Sequence, residues 1–117
     1  MGHLRKGMIY YTKQRFDGKT PLALSMTVYS VYLHIPFCSH RCGYCDFNTY
    51  AGLQALIPDY VTALVEEIRW LSRTAEKKLP VHTIFFGGGT PSLLPIGEID
   101  RILSALRSAF AVQEDAE

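Results

Sequence analysis

Three cysteines in one short stretch constrain the fold of this chain more than any other feature. Cys38, Cys42 and Cys45 are the only cysteines among its 117 residues, and they lie within eight consecutive positions. Small secreted domains use an even number of cysteines spread along the chain, so a disulfide framework does not account for this pattern. Thiols clustered in this way indicate a metal or cluster site in a reducing compartment. The fold must therefore present this segment, which we call the cysteine loop (residues 38–45), as a ligand site.

Each of two predicted strands leads directly into an unusual loop. Residues 31–35 read VYLHI and are ended by Pro36, which is typical of a buried strand that runs into a loop. The cysteine loop follows at once. A second short strand is predicted at residues 82–86, HTIFF, and it leads into GGGT at residues 87–90, which we call the glycine loop.

Two amphipathic helices complete the pattern. The first is predicted over residues 58–77, with Pro58 and Asp59 in positions that favour a helix start. Its apolar residues recur at helical spacing and mark one buried face: Val61, Leu64, Val65, Ile68 and Leu71. The second helix is predicted from the same spacing in Ile99, Ile102, Leu103, Leu106 and Phe110. The order strand, loop, helix, strand, loop, helix predicts an α/β fold with two βα units and parallel strands.

Parallel α/β folds bind ligands at the C-terminal ends of their strands. The cysteine loop and the glycine loop both follow predicted strands, so we expect them to lie next to each other. Residues 1–29 show no sustained period and are predicted to form an irregular N-terminal extension. Residues 30–117 are predicted to form the α/β region.

The charge balance and hydropathy exclude several classes of function. Twelve Lys and Arg against eleven Asp and Glu give a formal net charge of +1, so no basic field favours a nucleic-acid partner. Polar residues interrupt the longest apolar-leaning stretch, at residues 21–36, and we expect no transmembrane segment. The N-terminus lacks the apolar core of a secretory signal. We therefore expect a cytoplasmic protein.

The cysteine loop allows more than one metal chemistry. Iron–sulfur clusters are held by cysteine thiolates, usually four, so three would leave one iron open to another molecule. The alternative is a structural zinc site of three cysteines with His34 or His40 as fourth ligand. Three buried free thiols are a poor third interpretation, because the residues between the cysteines are polar or flexible.

The glycine loop offers bare backbone that a ligand can approach, and Thr90 adds a hydroxyl group. Its sequence is neither a P-loop nor a dinucleotide-binding fingerprint, because the required spacings of glycine and lysine are absent.

Three motifs in order carry a resemblance to a known family. The spacing Cys-x-x-x-Cys-x-x-Cys resembles the signature of the radical S-adenosylmethionine enzymes. The sequence around the cysteines and the glycines resembles the oxygen-independent coproporphyrinogen III oxidase family. The matching segments are YLHIPFC at 32–38, GYCDF at 43–47 and FGGGTPS at 86–92. Phe47 stands where the true dehydrogenases carry a further cysteine. Within this family, the chain therefore resembles the HemW-type haem chaperone branch. The enzyme alternative is an oxygen-independent coproporphyrinogen III dehydrogenase, and a zinc-binding module is a remote alternative.

The resemblance implies a fold and a set of cofactors. The fold would be a partial (β/α)6 radical SAM barrel, similar to a TIM barrel, of which this chain supplies two βα units. A 4Fe–4S cluster would be bound by Cys38, Cys42 and Cys45, with its open iron chelated by S-adenosylmethionine. In the family's enzymes, the reduced cluster cleaves this molecule to a 5′-deoxyadenosyl radical.

The resemblance also assigns residues to S-adenosylmethionine. Tyr32 and Tyr44 would contact it, and Gly88, Gly89 and Thr90 would receive its methionine end. His34 is predicted to project to the same side of its strand as Tyr32, near the cluster or as a hydrogen-bonded core histidine.

The family further implies partners: haem or a porphyrin, a haem acceptor protein and a reductant protein. Residues 112–117 resemble the approach to the family's third strand, which is expected to begin beyond them. We therefore expect the chain to be an N-terminal fragment that is inactive alone.

Overall fold

The computed structural model describes residues 3–6, 9–15, 27–40, 43 and 49–117. Within them the chain forms two α-helices, α1 (Ile57–Thr74) and α2 (Ile96–Ala109), and two short 3-10 helices, Gln54–Leu56 and Pro91–Leu93. The strands of the described part are β1 (His3–Lys6), β2 (Ile9–Arg15), β3 (Thr27–Ile35), β4 (Phe37–Cys38), β5 (Tyr50–Ala51), β6 (Pro80–Gly88) and β7 (Ala111–Val112).

One sheet organises the fold. Its strand order is β1-β2-β3-β6-β7, with β2 antiparallel to both β1 and β3. Strands β3, β6 and β7 are parallel, joined by α1 and then α2. The prediction of two βα units with parallel strands is confirmed. Both crossovers advance in the same direction along the sheet, and α1 and α2 pack against each other, as expected when right-handed crossovers place two helices on the same face.

The apolar stripe of each helix packs on that face of the sheet. Helix α1 buries every residue of the stripe predicted from its spacing, with Pro58 in its first turn, and it ends three residues before the predicted boundary. Helix α2 buries Ile102, Ala105, Leu106 and Ala109. The sheet contributes alternate residues of β3, Val31, Leu33 and Ile35, together with Val81 of β6. One apolar core therefore lies between the helices and the sheet.

The opposite face of the sheet carries the polar and aromatic residues of the same strands. Tyr32 is in register with Phe85, and His34 is in register with Gly87. Paired residues of neighbouring strands share a face, so these four lie on the side away from the helices. We call this side the open face. Phe85 is 59% exposed there.

The prediction of an irregular extension over residues 1–29 is wrong where β1, β2 and the start of β3 lie. Strand β2 pairs with β3 along its whole length, from Ile9 opposite Leu33 to Arg15 opposite Thr27. Ile9 is fully buried in the core. Residues 9–12, IYYT, are β-branched and aromatic, and they form a strand because β3 offers an edge with which to pair.

The third parallel strand also begins earlier than expected. Ala111 and Val112 already pair with Pro80 and Val81 of β6. Hydrogen bonds then continue the contact, from Glu117 N–H to the carbonyl of His82 at 3.0 Å and from Ile84 N–H to the carbonyl of Glu117 at 2.7 Å. The expectation that this strand begins only beyond the last residue is therefore wrong. No helix in the described residues is long and apolar enough to cross a membrane.

Candidate functional site

The cysteine loop starts on a short strand that is held in place by the chain returning from the loop. Cys38 ends β4 and is 9% exposed. Strand β5 pairs with β4 in parallel, with Phe37 opposite Tyr50 and Cys38 opposite Ala51. The Gln54 side chain donates a hydrogen bond to the carbonyl of Cys38 at 3.2 Å. The two ends of the segment that contains the cysteines are therefore held together.

Two backbone hydrogen bonds join the glycine loop to this strand. Gly89 N–H donates to the carbonyl of Ile35, and Thr90 N–H donates to the carbonyl of Phe37, each at 2.7 Å. A Cβ placed on Gly89 would contact the Phe37 carbonyl and would lie 3.0 Å from the Cys38 sulfur. The expectation that the two loops lie side by side at the C-terminal ends of parallel strands is confirmed at Cys38, where the cysteine loop begins.

The other two glycines make room for side chains of β3. A Cβ on Gly87 would lie 2.6 Å from Cε2 of Tyr32 and 2.7 Å from Cε1 of Phe85. A Cβ on Gly88, whose φ is +105°, would lie 2.7 Å from Cε1 of His34. The bare backbone therefore serves the packing of neighbouring rings, a role that the sequence pattern alone did not indicate.

Three rings form a contiguous group on the open face. Tyr32 stacks on Phe85, with ring centroids 5.8 Å apart and an interplanar angle of 18°. The Tyr32 hydroxyl lies 3.3 Å from Nδ1 of His34. The prediction that Tyr32 and His34 project to the same side is confirmed. Phe85 was missed, although two consecutive phenylalanines in a strand must face opposite sides, and only one of them can face the core.

Helix α1 braces the end of β3 through Tyr60. The Tyr60 hydroxyl donates a hydrogen bond to the carbonyl of His34. Its ring packs edge-on against Phe37, with centroids 5.2 Å apart and an interplanar angle of 89°. Tyr60 thus fixes the backbone on either side of Pro36, where the chain passes from the sheet into the cysteine loop. The helical spacing gave no signal for this contact, because Tyr60 lies beside the apolar stripe.

The structure brings together part of the predicted site. Cys38, Gly88, Gly89 and Thr90 meet where the two loops join, and Tyr32 lies beside them on the open face. His40 is exposed. The remaining predicted site residues, Cys42, Tyr44 and Cys45, lie outside the described residues, as does Phe47.

The donor set consists of sulfur atoms, which bind iron–sulfur clusters and also zinc. Three thiols at spacings of four and three residues supply sulfur ligands. In the described part, which holds one of these cysteines, no three His, Cys, Asp or Glu residues converge as a metal site. Cys38 is nonetheless buried directly against bare glycine backbone, so a ligand bound at its sulfur would also touch the glycine loop.

Comparison with known proteins gives consistent matches. The family model described as the radical SAM superfamily matches residues 32–115. The heme chaperone HemW of Mycobacterium tuberculosis H37Rv is 45% identical over 92 residues, which are 76% of this chain and 23% of that protein. HemW of Escherichia coli K12 is 41% identical over 90 residues, which are 75% of this chain and 23% of that protein. The chain thus spans about a quarter of the length of these relatives.

A solved structure shares the fold. Coproporphyrinogen III oxidase, HemN, from Escherichia coli, described as a radical SAM enzyme, matches with a TM-score of 0.66 and 35% identity. The match covers 74% of this chain and 20% of that one. The predicted fold class, the beginning of a TIM-like α/β barrel, is confirmed by this likeness together with the parallel order of β3, β6 and β7.

Proposed function

Because the chain belongs to the radical SAM superfamily, we propose that it forms the cofactor-binding part of a haem chaperone, a protein that binds haem and transfers it to an acceptor. One observation carries the proposal: the Cys38 sulfur lies against the backbone of Gly89, where two parallel strands end. Cys38, which would bind the cluster, thus lies next to the glycine loop, whose bare backbone suits S-adenosylmethionine. The similarity to HemW proteins, at up to 45% identity, supports the chaperone activity.

The superfamily implies an iron–sulfur cluster and S-adenosylmethionine, and the residues fit both. Cys38, Cys42 and Cys45 would bind a 4Fe–4S cluster through their thiolates. When bound, the cluster and S-adenosylmethionine supply one-electron chemistry to the family's enzymes. The buried position of Cys38 keeps its sulfur from bulk water, and the pairing of β4 with β5 fixes its backbone.

The glycine loop would bind the methionine end of S-adenosylmethionine through oxygen atoms. The N–H groups of Gly89 and Thr90 already donate to the carbonyls of Ile35 and Phe37. Carbonyl oxygens of Gly88 and Gly89 would therefore accept from the ammonium group of the ligand, and the exposed Thr90 side chain would add its hydroxyl. Tyr32, on the adjoining open face, and Tyr44 would contact the rest of the molecule.

The second candidate is an oxygen-independent coproporphyrinogen III dehydrogenase, which the match to coproporphyrinogen III oxidase favours. Phe47 argues for the chaperone, since the family's dehydrogenases are expected to carry a cysteine at that position. A zinc module is a weaker candidate, because membership in the radical SAM superfamily favours an iron–sulfur cluster on these cysteines.

The proposal includes partners and a location. Haem or a porphyrin is the cargo, an acceptor protein receives the haem, and a reductant protein supplies electrons to the cluster. The near-neutral net charge of +1 supports partners other than nucleic acid. A cytoplasmic location agrees with the clustering of three cysteines within eight residues, which is not the pattern of a disulfide framework.

Haem binding and porphyrinogen turnover separate the two main candidates. The complete reading frame that contains this chain would be expressed, reconstituted anaerobically with iron and sulfide, and titrated with haem while the Soret band is recorded. The same preparation would be assayed with coproporphyrinogen III, S-adenosylmethionine and a reductant. We expect stable haem binding and no turnover. Substantial turnover without stable haem binding would contradict the chaperone proposal, and stoichiometric zinc without cluster absorbance would contradict the cofactor assignment.

A further inference from the structure

We infer that Phe85 and Gly87 are positioning residues, which hold the Tyr32 ring in the orientation that S-adenosylmethionine requires. The inference rests on the cofactor part of the proposed function. Both residues belong to β6 and lie on the open face, where Phe85 is in register with Tyr32. Neither is part of the predicted cofactor contacts, so their role would be exerted through Tyr32.

Gly87 sets how close the Tyr32 ring can approach β6. A Cβ at this position would lie 2.6 Å from Cε2 and 2.9 Å from the hydroxyl oxygen of Tyr32. It would also lie 2.7 Å from Cε1 of Phe85. Contacts below 3 Å are steric clashes, so any side chain at residue 87 would displace one or both rings. The missing Cβ therefore provides the space in which the two rings stack.

Phe85 covers one face of the Tyr32 ring. The stacked geometry, with 5.8 Å between centroids, restrains the rotation of Tyr32 about its side-chain bonds. Phe85 lies on the side of the sheet away from the helices, so it is not part of the apolar core between the helices and the sheet. On that side of the sheet, beside the residues where the two loops join, its ring stacks on Tyr32.

His34 supplies the third restraint. Its Nδ1 lies 3.3 Å from the Tyr32 hydroxyl, and its Cε1 lies 2.7 Å from the position that a Cβ on Gly88 would take. Three residues thus surround the Tyr32 ring. Phe85 covers its face, Gly87 lets it approach β6, and His34 contacts its hydroxyl. A side chain that is already ordered loses less freedom when a ligand binds, which raises affinity. Releasing Tyr32 should therefore weaken S-adenosylmethionine binding.

The test compares three substitutions in the reconstituted full-length protein. We expect Phe85→Leu and Gly87→Ala each to weaken S-adenosylmethionine binding by about threefold to tenfold, measured by isothermal titration calorimetry. Phe85→Tyr keeps the stacked ring and should bind as the wild type does. Electron paramagnetic resonance of the reduced cluster should show a ligand-induced change that is altered in the two weakened variants and normal in Phe85→Tyr.

A matched glycine substitution controls for the backbone. Gly97 lies in α2 with nothing within 4 Å of an added Cβ, so Gly97→Ala should leave the affinity unchanged. Iron content and the thermal unfolding midpoint would be measured for each variant. Phe85→Leu keeps an apolar side chain and adds no atom at a crowded position, so it should keep both, and it remains informative if Gly87→Ala does not fold.

The outcomes separate this inference from the proposed function. If the wild type binds S-adenosylmethionine and Phe85→Leu binds it equally well, the inference is wrong, whether or not the protein binds haem. Equal weakening by Phe85→Leu and Phe85→Tyr also contradicts it, because the ring would not be the cause. If the wild type binds S-adenosylmethionine but no haem, the chaperone proposal alone fails, and the variants still decide the inference. A wild type that binds no S-adenosylmethionine overturns both.

Discussion

The backbone N–H of Thr90 donates a hydrogen bond to the carbonyl oxygen of Phe37 across 2.7 Å. This bond joins the residue after the three glycines to the residue before the first cysteine. Gly89 makes the equivalent link to Ile35, so the glycine loop is joined to the segment that leads into the cysteine loop. The position of Cys38, where the cysteine loop begins, therefore depends on the backbone of the glycine loop.

Gly89→Ala should disrupt this junction. The added Cβ would contact the carbonyl group of Phe37 and would lie 3.0 Å from the Cys38 sulfur. The obstacle is hydrogen-bonded backbone, which cannot rotate away as a side chain would, so we expect a loss of about 1–3 kcal/mol in the free energy of unfolding. Urea denaturation measures this loss, and the iron content after reconstitution should fall with it.

Gly97→Ala is the matched control for that prediction. Nothing lies within 4 Å of a Cβ at this helical position, so we expect the variant to be unchanged or up to about 1 kcal/mol more stable. If Gly89→Ala unfolds at the same urea concentration as Gly97→Ala, the steric account of the junction is wrong.

Tyr60→Phe tests how α1 supports the site. The substitution removes the hydrogen bond to the His34 carbonyl but keeps the edge-on contact with Phe37. We expect a loss of about 1 kcal/mol in the free energy of unfolding, because the partly buried carbonyl loses its donor. Tyr50→Phe, at a residue that is 50% exposed, should change it by less than about 0.5 kcal/mol. Equal effects of the two substitutions would show that the Tyr60 hydroxyl contributes nothing.

The two βα units could be predicted because their signals are local. The spacing of Val61, Leu64 and Ile68 along the chain already defines the buried face of α1, whatever surrounds it. Strand β2 could not be predicted in the same way. Its residues form a strand by pairing with β3, from Ile9 opposite Leu33 onward, and such pairing joins segments with no shared local pattern.

The same distinction applies to the site. The meeting of the cysteine and glycine loops follows from topology, since parallel strands end at the same edge of a sheet. The roles of Gly87 and Phe85 depend on the register of β6 against β3, which places Tyr32 opposite Phe85. Register is fixed by the packed sheet as a whole, and a single sequence does not reveal it.

Leu64→Ala should destabilise the core between α1 and the sheet. Leu64 is fully buried, and its removal leaves a cavity that the surrounding side chains fill only in part. We expect a loss of about 2–5 kcal/mol in the free energy of unfolding, measured by urea denaturation. Leu56→Ala is the matched control, because Leu56 is 50% exposed and should contribute less than about 0.5 kcal/mol. Similar losses for both would contradict the assignment of the buried face.

Single cysteine substitutions test the cluster itself. Cys38→Ser, Cys42→Ser and Cys45→Ser should each abolish most of the iron and the broad visible absorbance of the reconstituted full-length protein, since two thiolates hold a cluster poorly. Ser39→Ala, at an exposed neighbouring position, should retain both. His40→Ala separates iron from zinc chemistry: His40 is exposed, and an iron–sulfur site held by three cysteines does not need it. The zinc site would be favoured instead if the wild type contained zinc rather than iron and His40→Ala lost the bound metal.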